Sequence, residues 1–132
     1  MTVTITQAHN EARLAGTLGF LDTGSGNAAV RIYEGTRPAT AADAPTGSTL
    51  LVQIELTKPA GTVGSGALAL TQLENGLILA TGLSTWARFV NGNGATAFDC
   101  DVDDGVNNGE VVMAQRQLFA GGEAKMVSAT LG

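Results

Sequence analysis

What most constrains this chain is that short runs of alternating apolar residues are cut off, repeatedly, by glycine-bearing turns. Alternation with a period of two puts every second side chain on one face, as in a half-buried strand. Ala28, Val30 and Ile32 alternate in this way with Ala29, Arg31 and Tyr33. Leu50, Val52, Ile54 and Leu56 alternate with Leu51, Gln53 and Glu55, and Lys58-Pro59-Ala60-Gly61 is expected to end that strand. Ala67 to Thr71 and Leu77 to Thr81 flank Asn75-Gly76, a strong hairpin signal, and Ser84 to Val90 and Ala95 to Val102 flank Asn91-Gly92-Asn93-Gly94. Glu110 to Met113, Gln117 to Ala120 and Glu123 to Leu131 complete the strand candidates. Glu34 to Pro38 reads as a turn and Ala39 to Ser48, with Pro45 and Gly47, as a loop.

One segment departs from this rule. Leu14, Leu18 and Leu21 recur at helical spacing, Thr6 is a fitting N-cap, and Asp22 to Asn27 carries the glycines that stop a helix. Gly16 and Gly19 each cost such a helix about 1 kcal/mol relative to Ala, so it has to dock against something. A helix over 6–21 followed by seven or eight short strands over 28–131 predicts a single all-β domain. The expected form is an antiparallel β-sandwich or jelly roll, since a βαβ fold would need helices between strands.

Charge narrows the partners. Seven Lys and Arg against 12 Asp and Glu leave a formal net charge of -5, which disfavours a nucleic-acid or anionic-membrane surface. Charged residues supply 14%, well under the roughly 25% usual in globular domains, so the surface suits close packing against other proteins. A lone cysteine, Cys100, makes no intrachain disulfide, and Met1 to Asn10 lacks the pattern of a secretory leader.

Candidate chemistry is sparse. His9 is the only histidine; it falls in the first turn of the expected helix, with no Ser or Cys and orienting acid placed around it, so it reads as a solvated side chain. Gly24-Ser25-Gly26-Asn27-Ala28-Ala29 spells G-x-G-x-x-A but follows a helix and precedes a strand, the reverse of a dinucleotide site. Gly61 to Gly66 has no following Lys-Ser or Lys-Thr; both stretches are turns. Asp99, Asp101, Asp103 and Glu110 imitate the ligand spacing of a calcium loop, although Asp104 stands where that loop needs glycine. The plainer reading makes these acids the solvated face of a strand whose other face is Phe98, Cys100 and Val102. Neither a cofactor nor a resident metal is expected. Arg31, Tyr33, Arg37, Trp86 and Arg88 are the interface candidates, being of the residue types enriched at binding hot spots, while Trp86 also fits a core position.

Four stretches carry a resemblance: "LAGTLGFLDTGSGNAAVRIYEGTRPAT" (Leu14 to Thr40), "TLLVQIELTKPAG" (Thr49 to Gly61), "TGLSTWARFVNGNG" (Thr81 to Gly94) and the closing "MVSATLG". They look like virion structural proteins of phages, and the chain resembles the small jelly-roll cement, or decoration, proteins of tailed-phage capsids. The resemblance implies a non-enzymatic protein on the outside of an icosahedral shell. It would bridge major capsid subunits, with a second copy of itself as a further partner, and be assembled in the host cytoplasm. No functional residue transfers with it. The alternatives are a tail, baseplate or fibre-associated β module and a calcium-dependent carbohydrate-binding sandwich.

Overall fold

The computed structural model describes residues 4–103 and 109–132. Helix α1 spans Gln7–Leu21 and is capped as expected, the Thr6 hydroxyl accepting the His9 N–H at 3.1 Å. Leu14 and Leu21 are buried and Leu18 packs against the same hydrophobic cluster, so the predicted stripe is the docking face. The helix lies against strands β2 (Thr49–Gly64) and β3 (Ala67–Gln72).

The remaining strands are β1 (Ala29–Glu34), β4 (Gly76–Leu77), β5 (Gly82–Leu83), β6 (Trp86–Val90), β7 (Thr96–Asp103) and β8 (Val111–Met113). After them come β9 (Gln117–Leu118), β10 (Glu123–Ala124) and β11 (Met126–Leu131). Seven of them close into a barrel in the order β1-β2-β3-β11-β8-β7-β6. The molecule is therefore mostly β with one helix, but its sheet closes on itself. The expected antiparallel pairing fails at one seam, where β7 and β8 run parallel through Val102↔Val111 and Asp103↔Val112. The reason is parity: a closed ring with an odd number of strands cannot alternate direction all the way round, so one neighbouring pair must run the same way.

β2 holds the architecture together and differs from its expected form in two places. Opposite Ile32 and Tyr33 it carries one extra residue, Leu51, so Leu51 and Val52 are both buried and the simple alternation breaks. The bulge also frees the Leu51 carbonyl, which accepts the N–H groups of Leu79 (2.7 Å) and Ala80 (3.4 Å). Second, Lys58-Pro59-Ala60-Gly61 does not end the strand. The chain bows out between Leu56 and Gly61 and then pairs again with β3. A backbone N–H released there finds its partner in the segment that follows α1, and the Lys58 side chain reaches the same segment. Asp22 Oδ1 accepts the Ala60 N–H at 2.9 Å, and Lys58 Nζ donates to the Gly24 carbonyl at 2.6 Å. A proline in mid-strand is tolerated because side chains satisfy what the ladder loses.

The Asn91–Ala95 connection joins β6 to β7 as predicted, with Asn91 Oδ1 accepting the N–H groups of Asn93 and Ala95 at 3.0 Å. The Asn75-Gly76 hairpin does not form. β3 turns back on β2 through Ser65 and Gly66, both at positive φ (53° and 77°), the pattern of a type I′ turn. Gly76 serves close approach instead: a Cβ there would stand 2.7 Å from the Gln53 carbonyl oxygen.

Candidate interaction surface

Three of the five predicted interface residues, Tyr33, Trp86 and Arg88, are brought together, but under the chain's own loop. On the outer face of the barrel Tyr33 pairs with Trp86 and Arg31 with Arg88, while Arg88 pairs in turn with Asp99. The Tyr33 and Trp86 rings stack at 4.4 Å and 11°, and the Arg88 guanidinium sits 5.4 Å from the Trp86 ring centre. The loop from Thr36 to Ser48 covers this group. Trp86 Nε1 donates to Ser48 Oγ at 3.1 Å, and Arg88 Nη2 donates to the Asp43 carbonyl at 2.8 Å. Trp86 is left 1% exposed, outside the barrel's main hydrophobic cluster. Tyr33, Trp86 and Arg88 thus form a second small core on the outer wall and present no free surface: this corrects the reading of Tyr33 and Arg88 as contact residues, while Trp86 takes the core role that the sequence also allowed it. Arg31 is half-buried and donates to Gln53 Oε1 at 3.0 Å; Arg37 is exposed and pairs with Asp101 at 3.5 Å.

The same strand registers dissolve the calcium pattern. Side chains two apart on a strand lie about 7 Å apart, and each acid on β7 meets a different neighbour. Asp99 forms a two-point pair with Arg88 at 2.7 and 2.9 Å, and this hydrogen bonding holds the Arg88 guanidinium above its usual pKa. Asp101 turns to Arg37, Asp103 Oδ2 accepts the Gly109 N–H at 3.2 Å, and Glu110 Oε1 accepts the Asp101 N–H at 3.4 Å. Among the described residues no three His, Cys, Asp or Glu side chains converge on one point. Asp104 to Asn108 of that pattern lie outside the described residues. His9 is exposed on the helix, and Cys100 is buried, desolvation pushing its thiol pKa well up.

The surface that stands out was not among the predicted sites. β4 pairs with β10 through Glu123↔Leu77 and β5 with β9 through Gly82↔Leu118, and both ladders keep one common register. Backbone bonds extend the pairing: Ile78 N–H donates to the Gly122 carbonyl at 2.9 Å inside the interval, and Ser84 N–H to the Arg116 carbonyl at 2.9 Å just beyond β5. The two short sheets are thus parts of one interrupted antiparallel ribbon, 76–84 against 116–124. Its inner face, with Ile78, Leu118 and Ala124, belongs to the hydrophobic core. Its outer face carries Leu77 (60% exposed), Leu79 (60%), Leu83 (41%) and Phe119 (62%).

A strand with one wet face ordinarily alternates apolar and polar residues. Here Leu77-Ile78-Leu79 is apolar on both faces, and that unbroken run was the one available signal in the sequence. Large apolar side chains grouped on a surface mark an interaction site. A groove runs beside Phe119, lined also by Ile78, Leu118, Gly122, Glu123 and Lys125. It continues past Leu83 and Arg116. Comparison with protein-family models, curated proteins and solved structures gives no match.

Proposed function

We propose that this protein is a non-enzymatic virion component. On this reading it is a capsid cement protein that binds the outside of an icosahedral phage shell and bridges major capsid subunits. The observation that carries the reading is the outer face of the ribbon, where Leu77, Leu79, Leu83 and Phe119 are presented together to solvent. A protein whose work is to be held by its neighbours needs such a face on a rigid scaffold. The closed barrel provides the rigidity, and a copy that touches two or more capsid subunits at once turns modest contacts into durable attachment through effective concentration. The reading takes the barrel and its ribbon as a closed variant of the jelly roll. Antiparallel pairing of strands distant in the chain, β1 with β6 and β3 with β11, supports that choice.

Co-sedimentation with empty shells of a tailed phage tests it. Wild-type protein is expected to pellet with shells and to raise the temperature at which they break, and Leu79→Asp with Phe119→Asp is expected to stay in the supernatant. Wild-type protein that never pellets with shells, or gold-labelled protein found on tails alone, overturns the reading.

A further inference from the structure

We propose that the groove along the ribbon takes an extended partner segment that combines apolar side chains with carboxylates. The inference deepens the reading above, because it gives the chemistry of what lies on the face that reading identifies. Its basis is how the few cations of this acidic chain are used. Arg88 is committed to Asp99, Arg37 to Asp101, Lys58 to the carbonyls of Gly24 and Gly26, and Arg31 to Gln53. Three cations are left among the described residues: Arg13 lies on helix α1, and Lys125 and Arg116 both line the groove. Lys125 is exposed and makes no ion pair, and Arg116 uses only Nε, which donates to the Ser84 carbonyl at 3.1 Å.

Against these two cations the groove wall has one acid, Glu123, on the same outer face as Lys125 but not paired with it. The groove therefore carries a net positive charge in a chain with 12 acids and 7 bases. Next to Phe119 and Leu83, a partner's carboxylate would meet these cations at a partly dehydrated surface, where opposite charges select the partner more strongly than in open water. A basic segment would be repelled there, and a wholly apolar one would leave the groove's net positive charge uncompensated.

Fluorescence anisotropy on the full chain tests this with three labelled peptides of equal length, alternating Leu with Glu, Leu with Gln and Leu with Lys. The Glu peptide is expected to bind at least tenfold more tightly than the Gln peptide, with affinity falling as salt rises. Lys125→Glu, and Arg116→Glu with Lys125→Glu, are expected to remove that preference; the single variant serves if loss of the Arg116–Ser84 bond harms folding. Equal binding of all three peptides, or binding of none, overturns the inference. So does self-association of the wild type that Phe119→Asp abolishes, since a second copy would then occupy the groove. With shells, the two readings separate: if Arg116→Glu with Lys125→Glu pellets like wild type while Phe119→Asp does not, the carboxylate inference falls and the shell reading stands.

Discussion

Arg88 and Asp99 face each other across β6 and β7 and join by two hydrogen bonds of 2.7 and 2.9 Å, with side chains only 7% and 5% exposed. Both charges are withdrawn from water, so the pair matters most when half of it is removed. Asp99→Ala is expected to destabilise the protein by about 3–5 kcal/mol, because it leaves a buried guanidinium without its partner. Arg88→Met combined with Asp99→Leu is expected to cost far less than the two single changes added together. Urea unfolding of the four proteins measures the coupling; additive losses would show that the pair is not buried as a unit.

Helix α1 contains two glycines that point at nothing. Beyond the backbone of the helix itself, a Cβ at Gly16 or at Gly19 would meet no atom within 4 Å. Each is therefore expected to accept Ala with a gain of about 0.5–1 kcal/mol. Thermal melts of Gly16→Ala, Gly19→Ala and the double variant read this, with melting temperature rising in each.

The β2–β3 turn gives the opposite result at glycine. Gly66 has φ +77°, a conformation that costs any residue with a Cβ, so Gly66→Ala is expected to lose about 1–2 kcal/mol. Ser65, at φ 53°, is expected to gain a few tenths of a kcal/mol as Asn, the residue a type I′ turn prefers. Gly61→Ala is the severe case, since its Cβ would collide with the Ala69 carbonyl oxygen across the ladder. Denaturation midpoints are expected to rank Ser65→Asn above wild type, then Gly66→Ala, then Gly61→Ala.

Cys100 sets an alkaline limit. Its thiol pKa is raised in the folded state, first by burial and then by the negative charges of Glu110 and Asp101. Below about pH 9 the thiol is neutral in both folded and unfolded chains, and its burial carries no pH dependence. Above that pH only the unfolded chain gives up the proton, so stability falls as pH rises, by about 1.4 kcal/mol per pH unit for one thiol. Urea midpoints from pH 8 to 10.5 are expected to decline more steeply for wild type than for Cys100→Ala; parallel slopes would show that the thiol is not shielded.

Local signals carried the elements that depend on neighbours in sequence. The stripe of Leu14, Leu18 and Leu21, the Thr6 cap and the Asn91–Gly94 connection were all readable, because each is settled within a few residues. Long-range contacts decided what was not. Asn75-Gly76 has the letters of a turn, yet Gly76 is needed where the ribbon crosses β2 at Gln53. Trp86 has the hydrophobicity of a core residue but is buried on the outer wall, by a loop 38 residues earlier in the chain. The acids Asp99, Asp101 and Asp103 read most simply as the solvated face of a strand, yet only Asp101 is exposed: Asp99 is buried against Arg88 and Asp103 against the Gly109 N–H, partners that the spacing does not reveal. The exposed apolar face of the ribbon was written only as an absence of alternation around Ile78.

The common alignment of the ribbon's two ladders has a consequence for how this protein can change length. Adding or deleting one residue between Leu77 and Leu83 would put the two ends of that arm out of phase, so that the side chains on one side of the change exchange core for solvent. Insertions in this arm are therefore expected to be tolerated in even steps, and a single extra residue to damage stability and attachment at once.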